Sequence, residues 1–218
     1  MKPAAFLFDL DGTLINSELP WARAMVAWLA VRGQTTSVER LAPIVSGRNW
    51  RDIHCALHAA FPGMGESSLE QDTQELHPHY DRLVVDPTSL VIPEAVGFFH
   101  RAARLAPCAI VSGSPQVDVD KMVEVCGLAG EIAFALGGEA YANGKPAPDG
   151  YLAAARRLGV PPSACVVVED AIPGIQSGRA AGMHVLGVKG PQLIPHELVG
   201  CEWTVDDLSQ FDWRFFEI

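Results

Sequence analysis

Apolar and polar positions divide the chain into two kinds of segment. Short apolar runs without polar alternation occur near the N-terminus and again beyond residue 88, at residues 4–8, 108–111, 164–168 and 184–188, with a weaker run at 132–136. Runs of this length and composition are typical of strands buried on both faces of a parallel sheet. Helical patterns separate the runs. The chain therefore predicts an α/β fold built on a doubly wound parallel sheet, a Rossmann-like arrangement.

Residues 16–87 follow a different pattern. Trp21, Met25, Trp28 and Leu29 recur at helical spacing, and no segment in this region reads as a buried strand. Ser17 is a candidate N-cap for the first helix, and Ser67 with Glu70 forms a candidate capping box. We predict a core formed by residues 1–15 and 88–218, with a helical cap domain, residues 16–87, inserted after the first strand. Such an insertion lies over the carboxyl ends of the strands, where open α/β sheets bind ligands.

Composition narrows the classes of partner. The 218 residues are 49% hydrophobic, which supports a large core and argues against disorder. A net charge of −10 argues against nucleic acid or an anionic membrane surface as partner, and no apolar run is long enough to span a bilayer. Five cysteines without a C-x-x-C pair, and an N-terminus that fits no signal peptide, predict a reduced, cytoplasmic setting. We expect a small-molecule partner and a monomer or weak dimer.

The first strand ends in two carboxylates, Asp9 and Asp11, followed by Gly12. Acids at the mouth of an apolar strand are costly unless a positive charge lies nearby, and oxygen ligands suit a hard cation. A solvated Asp-x-Asp-Gly turn is the simpler interpretation. This stretch alone leaves both open.

Other polar residues also follow strands or open helices. Ser112 and Gly113 end the second apolar run, Lys145 precedes a helix, and Glu169 and Asp170 end another run. In one parallel sheet these points converge at one edge. Carboxylates there suit Mg²⁺, while a hydroxyl, helix amides and a lysine suit a phosphate group.

Each of these signals has a simpler interpretation when taken alone. Taken alone, Ser112 is better explained as a cap of the following helix, and Glu169-Asp170 is more typical of a capping turn at a helix start. Gly144-Lys145 does not form a nucleotide-binding P-loop, because Pro146 stands where Ser or Thr is required. Their joint placement at strand ends favours a site.

Four motifs together resemble the haloacid dehalogenase superfamily, in its β-phosphoglucomutase-like phosphatase branch with a helical cap. The motifs span the predicted core in that family's order: Asp9-Leu10-Asp11-Gly12-Thr13-Leu14, Val111-Ser112-Gly113-Ser114, Gly144-Lys145-Pro146-Ala147-Pro148-Asp149, and Val168-Glu169-Asp170-Ala171-Ile172-Pro173-Gly174-Ile175. The resemblance implies a magnesium-dependent phosphatase acting on a small phosphate monoester through an aspartyl-phosphate, with a sugar or polyol phosphate as the expected substrate.

The resemblance also implies catalytic roles. Asp9 would be the nucleophile that attacks phosphorus. Asp11 would protonate the leaving alcohol and then activate water, and its backbone carbonyl would bind Mg²⁺. Lys145 would bridge the phosphate and Asp9.

The remaining implied roles concern the phosphate and the metal. Ser112 and the amide of Gly113 would hold the phosphate. Asp170 would bind Mg²⁺ beside Asp9, and Glu169 would support it directly or through water.

The predicted cap contains two further candidates. Arg48 and Asn49 lie where the family places residues that read the substrate, although a plain helix N-terminus explains them equally well. His77-Pro78-His79 resembles a metal-binding pair, but no further ligand set accompanies it, and a solvated surface feature is the favoured interpretation.

The sequence argues against three activities other than a phosphatase to different degrees. A dehalogenase of this family would lack Asp11. A sugar-phosphate mutase would carry a histidine near Trp21 and a lysine in the cap, and residues 16–87 contain no lysine. A phospho-acceptor regulatory module uses an Asp, a Lys and Mg²⁺ on a similar sheet, but it needs neither a cap nor a general acid. The mutase stays as the main alternative.

Overall fold

The core is a sheet of six parallel strands. The computed structural model describes residues 1–191 and 193–216, and its strands are β1 (Ala5–Phe8), β2 (Cys108–Val111), β3 (Ile132–Leu136), β4 (Cys165–Glu169), β5 (His184–Val188) and β6 (Trp203–Val205). Their order is β3-β2-β1-β4-β5-β6, with every neighbouring pair parallel. This confirms the predicted α/β fold. β1 is central, so its end lies at the middle of the sheet edge.

Eight α-helices accompany the strands in the described residues: α1 (Glu18–Val31), α2 (Val38–Val45), α3 (Trp50–Ala60), α4 (Leu69–Leu83), α5 (Pro93–Ala103), α6 (Gln116–Val125), α7 (Asp149–Leu158) and α8 (Ile172–Ala180). None of them is both long and apolar enough to cross a membrane. Successive side chains of β1 point to opposite faces of the sheet and therefore pack into two different hydrophobic cores. Phe6 and Phe8 pack on the α5 and α6 side, whereas Leu7 packs with Tyr151 and Ile175 on the α7 and α8 side.

Helices α1–α4 form a separate hydrophobic cluster. Its buried members come from all four helices and include Trp28, Leu41, Leu57 and Leu76. Helix α2 was not among the helices predicted from the sequence, and it carries Pro43 in its interior. These helices follow β1 in the chain and precede α5, within the segment for which an insertion was predicted. The domain boundaries at residues 15/16 and 87/88 stay a prediction.

Two predicted helix caps differ from the structure. Ser17 stands directly before α1, but its hydroxyl donates to Asp11 Oδ1 at 2.6 Å and makes no cap bond. The capping box at α4 uses Ser68 and Gln71 rather than Ser67 and Glu70. The reason is that the Ser67 hydroxyl donates to Asp72 Oδ1 at 2.5 Å, which leaves Ser68 to cap the helix.

Candidate active site

The register of β1 and β4 brings two of the predicted acids side by side. Phe8 pairs with Val168, and the Asp9 amide donates to the Val168 carbonyl at 3.0 Å. Asp9 and Glu169 therefore stand at the same edge of neighbouring strands, and Asp170 follows directly. The sheet thus produces the convergence that the sequence predicted.

Lys145 connects two of these acids. Its Nζ donates to Asp9 Oδ1 and to Glu169 Oε1, the latter at 2.6 Å, and its side chain is 12% exposed. Glu169 is 1% exposed and accepts three further hydrogen bonds: Tyr151 OH reaches Oε1 at 2.9 Å, and the amides of Asp170 and Ala171 reach Oε2. The Glu169 carboxylate is therefore held rigidly, with the lysine fixed between it and Asp9.

The cluster holds more carboxyl groups than basic groups. Burial raises the pKa of Asp9 to about 8, against the lowering effect of Lys145 and with the charge of Glu169 adding to the rise. Burial and the charge of Glu169 raise the pKa of Asp170 well above its usual range. Burial alone would lower the pKa of Lys145, but the Asp9 and Glu169 carboxylates outweigh it and raise that pKa. One ammonium thus contacts two of the three buried carboxyl groups, those of Asp9 and Glu169.

These acids fit a divalent cation. Asp9, Glu169 and Asp170 each offer a carboxylate oxygen, and the three oxygens lie within 4.8 Å of one another. A donor set made only of carboxyl oxygens is the chemistry that Mg²⁺ prefers. Gly12 leaves room for this arrangement: its φ is +93°, and a Cβ there would lie 2.2 Å from Asp170 Oδ2.

The Asp11 carboxylate lies outside this acid group and is surrounded by hydroxyls. Ser17 donates to Oδ1, while Ser112 at 3.0 Å and Ser114 at 2.7 Å donate to Oδ2. Ser112 Oγ also accepts from the Ser114 amide. The Ser112 hydroxyl therefore orients Asp11 and the 112–114 turn, and it does not cap α6, which begins at Gln116.

The insertion covers this site. A cleft of about 160 Å³ separates the acids from α1, α3 and α4, and apolar side chains such as Trp21, Trp50 and Leu76 form its upper wall. Asn49 closes one side: a Cβ on Gly113 would lie 3.0 Å from Asn49 Cβ, and one on Gly144 would lie 2.3 Å from Asn49 Nδ2. The cap-side loop thus touches both predicted phosphate-binding segments.

The candidate residues of that loop have different surroundings. Arg48 is exposed and lines the cleft. Asn49 caps α3, accepting from the Asp52 amide at 3.0 Å and donating to Asp52 Oδ2 at 2.8 Å. The helix-start interpretation of Asn49 is therefore confirmed, and its position against Gly113 and Gly144 adds a contact with the core.

Several residues of the site were not predicted from the sequence to belong to it. Tyr151, Ser114 and Ser17 complete the polar contacts, although Ser114 lies inside a recognised motif. Glu18 accepts from the Gly47 amide at 3.2 Å, which joins α1 to the loop before α3, and burial raises its pKa. The only sequence signal for these residues was proximity to a motif.

Gly174 keeps space for Glu169, and its replacement tests this packing. In Gly174→Ala the added Cβ would lie 1.6 Å from Glu169 Oε1, whose carboxylate is fixed by Lys145 and Tyr151. We expect a loss of about 1–3 kcal/mol in the free energy of unfolding. A displaced Glu169 would also misplace Lys145, so activity should fall more than about tenfold. Urea unfolding and steady-state kinetics measure both effects.

Gly97→Ala is the matched control. Gly97 lies inside α5, and a Cβ there would meet nothing within 4 Å. This variant should gain about 0.5–1 kcal/mol, because alanine loses less backbone entropy in a helix. Equal behaviour of the two variants would contradict the proposed fit of Gly174 against Glu169.

Known proteins share this architecture. The family model of haloacid dehalogenase-like hydrolases matches residues 3–182. Hexitol phosphatase A of Escherichia coli is 31% identical over 196 residues, covering 89% of this chain and 87% of that protein. Phosphoglycolate phosphatase of Xylella fastidiosa is 32% identical, covering 83% and 78%. Protein SUPPRESSOR OF QUENCHING 1 of Arabidopsis thaliana is 32% identical over 86% of this chain, which spans 18% of that longer protein.

A solved structure agrees in fold. The structure of CbbY from Rhodobacter sphaeroides with phosphate superposes with a TM-score of 0.80 over 95% of this chain and 96% of that chain, at 20% identity. At this identity the similarity concerns the fold alone. The family match is decisive: the chain belongs to the haloacid dehalogenase-like hydrolases. This confirms the family predicted from the four motifs and the prediction of a hydrolase.

Proposed function

We propose that the protein is a magnesium-dependent phosphomonoesterase that hydrolyses a small sugar or polyol phosphate through an aspartyl-phosphate. The observation that carries this proposal is the juxtaposition of Asp9, Lys145, Glu169 and Asp170 at the carboxyl ends of β1 and β4, beneath the cleft. The relatives named as phosphatases support the reaction class.

The first chemical step belongs to Asp9. One carboxylate oxygen attacks phosphorus in line, and the bond to the leaving alcohol breaks. Lys145 lies against Asp9 Oδ1, so it orients the carboxylate and offsets charge on the transferring group. The alkoxide takes a proton from the carboxyl group of Asp11.

The second step regenerates the enzyme. Water gives a proton to the Asp11 carboxylate as it attacks phosphorus, which releases phosphate and restores Asp9. The hydroxyls of Ser17, Ser112 and Ser114 donate to the two carboxylate oxygens of Asp11 and fix its orientation. This supports the role of Asp11 as the general acid and base.

Asp9, Glu169 and Asp170, with the backbone carbonyl of Asp11, would hold Mg²⁺. Bound there, the ion would supply positive charge that offsets the phosphoryl oxygens. Thr13 donates to Asp170 Oδ1 at 3.1 Å, which orients that carboxylate. The amide of Gly113 would bind a remaining phosphate oxygen, and the Ser112 hydroxyl would join it by turning from Asp11 Oδ2 to the phosphate.

The substrate's organic part would lie under the insertion. Arg48 and Asn49 border the cleft beside Gly113, so they are placed to contact a leaving group. Trp21 and Trp50 provide flat walls, which suit the C–H faces of a sugar or polyol chain. Closure of residues 16–87 about hinges near 15–17 and 86–88 would exclude water from the reaction.

The test is release of inorganic phosphate by purified protein. p-Nitrophenyl phosphate and a panel of sugar, polyol and two-carbon acid phosphates should be supplied with Mg²⁺ and with EDTA. We expect hydrolysis with Mg²⁺, loss of activity with EDTA, and recovery on adding Mg²⁺ back. Activity that is insensitive to EDTA would contradict the metal requirement.

Product analysis separates the two enzyme hypotheses. A phosphatase releases free phosphate and alcohol, whereas a mutase returns an isomerised sugar phosphate. Stable phosphorylation of the protein without turnover would instead favour a phospho-acceptor module.

The five cysteines are all free thiols, which supports the proposed reduced, cytoplasmic setting. The oligomeric state, a monomer or weak dimer, stays a prediction.

A further inference from the structure

Two histidines and an aspartate converge inside the insertion, apart from the acid cluster. His54 and His58 lie one turn apart on α3, and Asp72 lies on α4. Both Nε2 atoms approach the same oxygen, Asp72 Oδ2, at 3.1 Å for His54 and 2.7 Å for His58. The rings are 4.4 Å apart between centroids. This set was absent from the motifs recognised in the sequence.

Asp72 is oriented by its surroundings. The residue is fully buried, and its other oxygen, Oδ1, lies 2.7 Å from Arg32 Nη2 and accepts from the Ser67 hydroxyl. Arg32 and Ser67 thereby occupy Oδ1 and leave Oδ2 to the imidazoles. Metal sites commonly show such an outer layer of groups that orients a ligand.

One nitrogen in this cluster is unsatisfied. His54 Nε2 is buried without a hydrogen-bond partner in the described part of the chain, because its 3.1 Å approach to Asp72 Oδ2 does not have hydrogen-bond geometry. A buried polar atom left in this way is costly. A cation between the three side chains would accept the lone pair of this nitrogen.

We infer that His54, His58 and Asp72 form a second metal site, which takes a divalent transition metal such as Zn²⁺. Two imidazole nitrogens and one carboxylate oxygen are ligands that Zn²⁺ accepts and Mg²⁺ does not favour. The ligand atoms lie within 4.8 Å of one another. The acid cluster at the sheet edge offers oxygen alone, so the two sites differ in donor chemistry.

The site would join two walls of the cleft. A metal held by α3 and α4 cross-links these helices. Trp50 at the start of α3 already donates from Nε1 to Thr73 Oγ1 on α4 at 2.6 Å, and both residues line the cleft. Metal binding would therefore stabilise the part of the insertion that faces the substrate.

Zinc titration of the full chain tests the inference. Protein stripped with a chelator and returned to saturating Mg²⁺ should be titrated with Zn²⁺ by calorimetry, as wild type and as His54→Gln/His58→Gln. We expect one Zn²⁺ more per chain in the wild type than in the double variant. Co²⁺ should give visible absorption bands in the wild type that the double variant lacks.

His100→Gln is the matched control. His100 also pairs with a carboxylate, Glu131 Oε1 at 2.9 Å, but at an exposed surface pair. It should bind Zn²⁺ as the wild type does. Equal stoichiometry in the wild type and the double variant, or no Zn²⁺ binding by the wild type, would overturn the site and leave a hydrogen-bonded His–Asp–Arg cluster.

The single variant His54→Gln distinguishes a lost metal ligand from misfolding of the double variant. His54→Gln leaves the His58–Asp72 contact in place, and circular dichroism checks its fold. Zn²⁺ affinity should fall more than about tenfold, and the rise in unfolding temperature with Zn²⁺ should shrink. Unchanged affinity in a folded His54→Gln protein also overturns the inference. Neither readout depends on phosphatase activity, so this test is independent of the proposed function.

Discussion

Asp9→Asn should abolish turnover while leaving the fold intact. Asparagine has nearly the same shape but cannot form the acyl phosphate, so kcat should fall by at least about 10⁴-fold. Phosphate release from the best substrate in the panel measures this loss. Wild-type activity in the Asp9→Asn variant would show that Asp9 is not the nucleophile.

The same variant should be more stable than the wild type at neutral pH in metal-free buffer. Burial raises the native pKa of Asp9 to about 8, above its ordinary value of 3.8. A raised carboxyl pKa favours the neutral form in the folded state, so the wild type loses stability as pH rises from about 4 towards 8. Asparagine has no such titration. The stability gained by Asp9→Asn should therefore grow across that interval, as measured by urea unfolding.

Asp120→Asn is the control for both measurements. Asp120 is exposed on α6 and accepts from Gln116 Nε2 at 2.8 Å. It should keep wild-type activity and show no comparable pH-dependent gain. A pH-dependent gain in Asp120→Asn equal to that of Asp9→Asn would contradict burial as its cause.

The sheet and the location of the site were accessible from the sequence because both depend on local patterns. Continuous apolar runs mark β1, β2, β4 and β5, and parallel pairing then fixes where their carboxyl ends meet. Asp9, Lys145 and Glu169 became candidates because each stands at the end of a strand or before a helix, and their joint placement favoured a site. The family motifs gave the same residues independently.

The contacts that complete the site are not local. Ser112 and Ser114 reach Asp11 across 101 and 103 residues, and Tyr151 on α7 reaches Glu169 at the end of β4. Hydroxyl-bearing residues have many possible roles, so composition alone does not select these. Helix α2 was not predicted because it is short and contains Pro43, a residue that disfavours a helix interior. Burial of its apolar side chains in the fold outweighs this local preference.

Lys145→Met should destabilise the metal-free protein strongly. The substitution leaves the buried Asp9 and Glu169 carboxyl groups without the ammonium that pairs with both of them. Removing one member of a buried ion pair costs about 3–5 kcal/mol. Activity should fall by about 10²–10³-fold, because Lys145 lies where transition-state charge develops. Added Mg²⁺ should recover part of the stability without recovering the activity.

A double variant isolates the electrostatic cause. In Asp9→Asn/Lys145→Met one carboxylate is removed together with the lysine, so the loss in the free energy of unfolding should be smaller than in Lys145→Met alone. Lys189→Met is the surface control, because Lys189 pairs with Asp206 where both side chains are more than half exposed. It should unfold as the wild type does. If the double variant were as unstable as Lys145→Met, the loss would come from the missing cation–π contact of Lys145 Nζ with the Tyr151 ring rather than from the unpaired Asp9 carboxyl group.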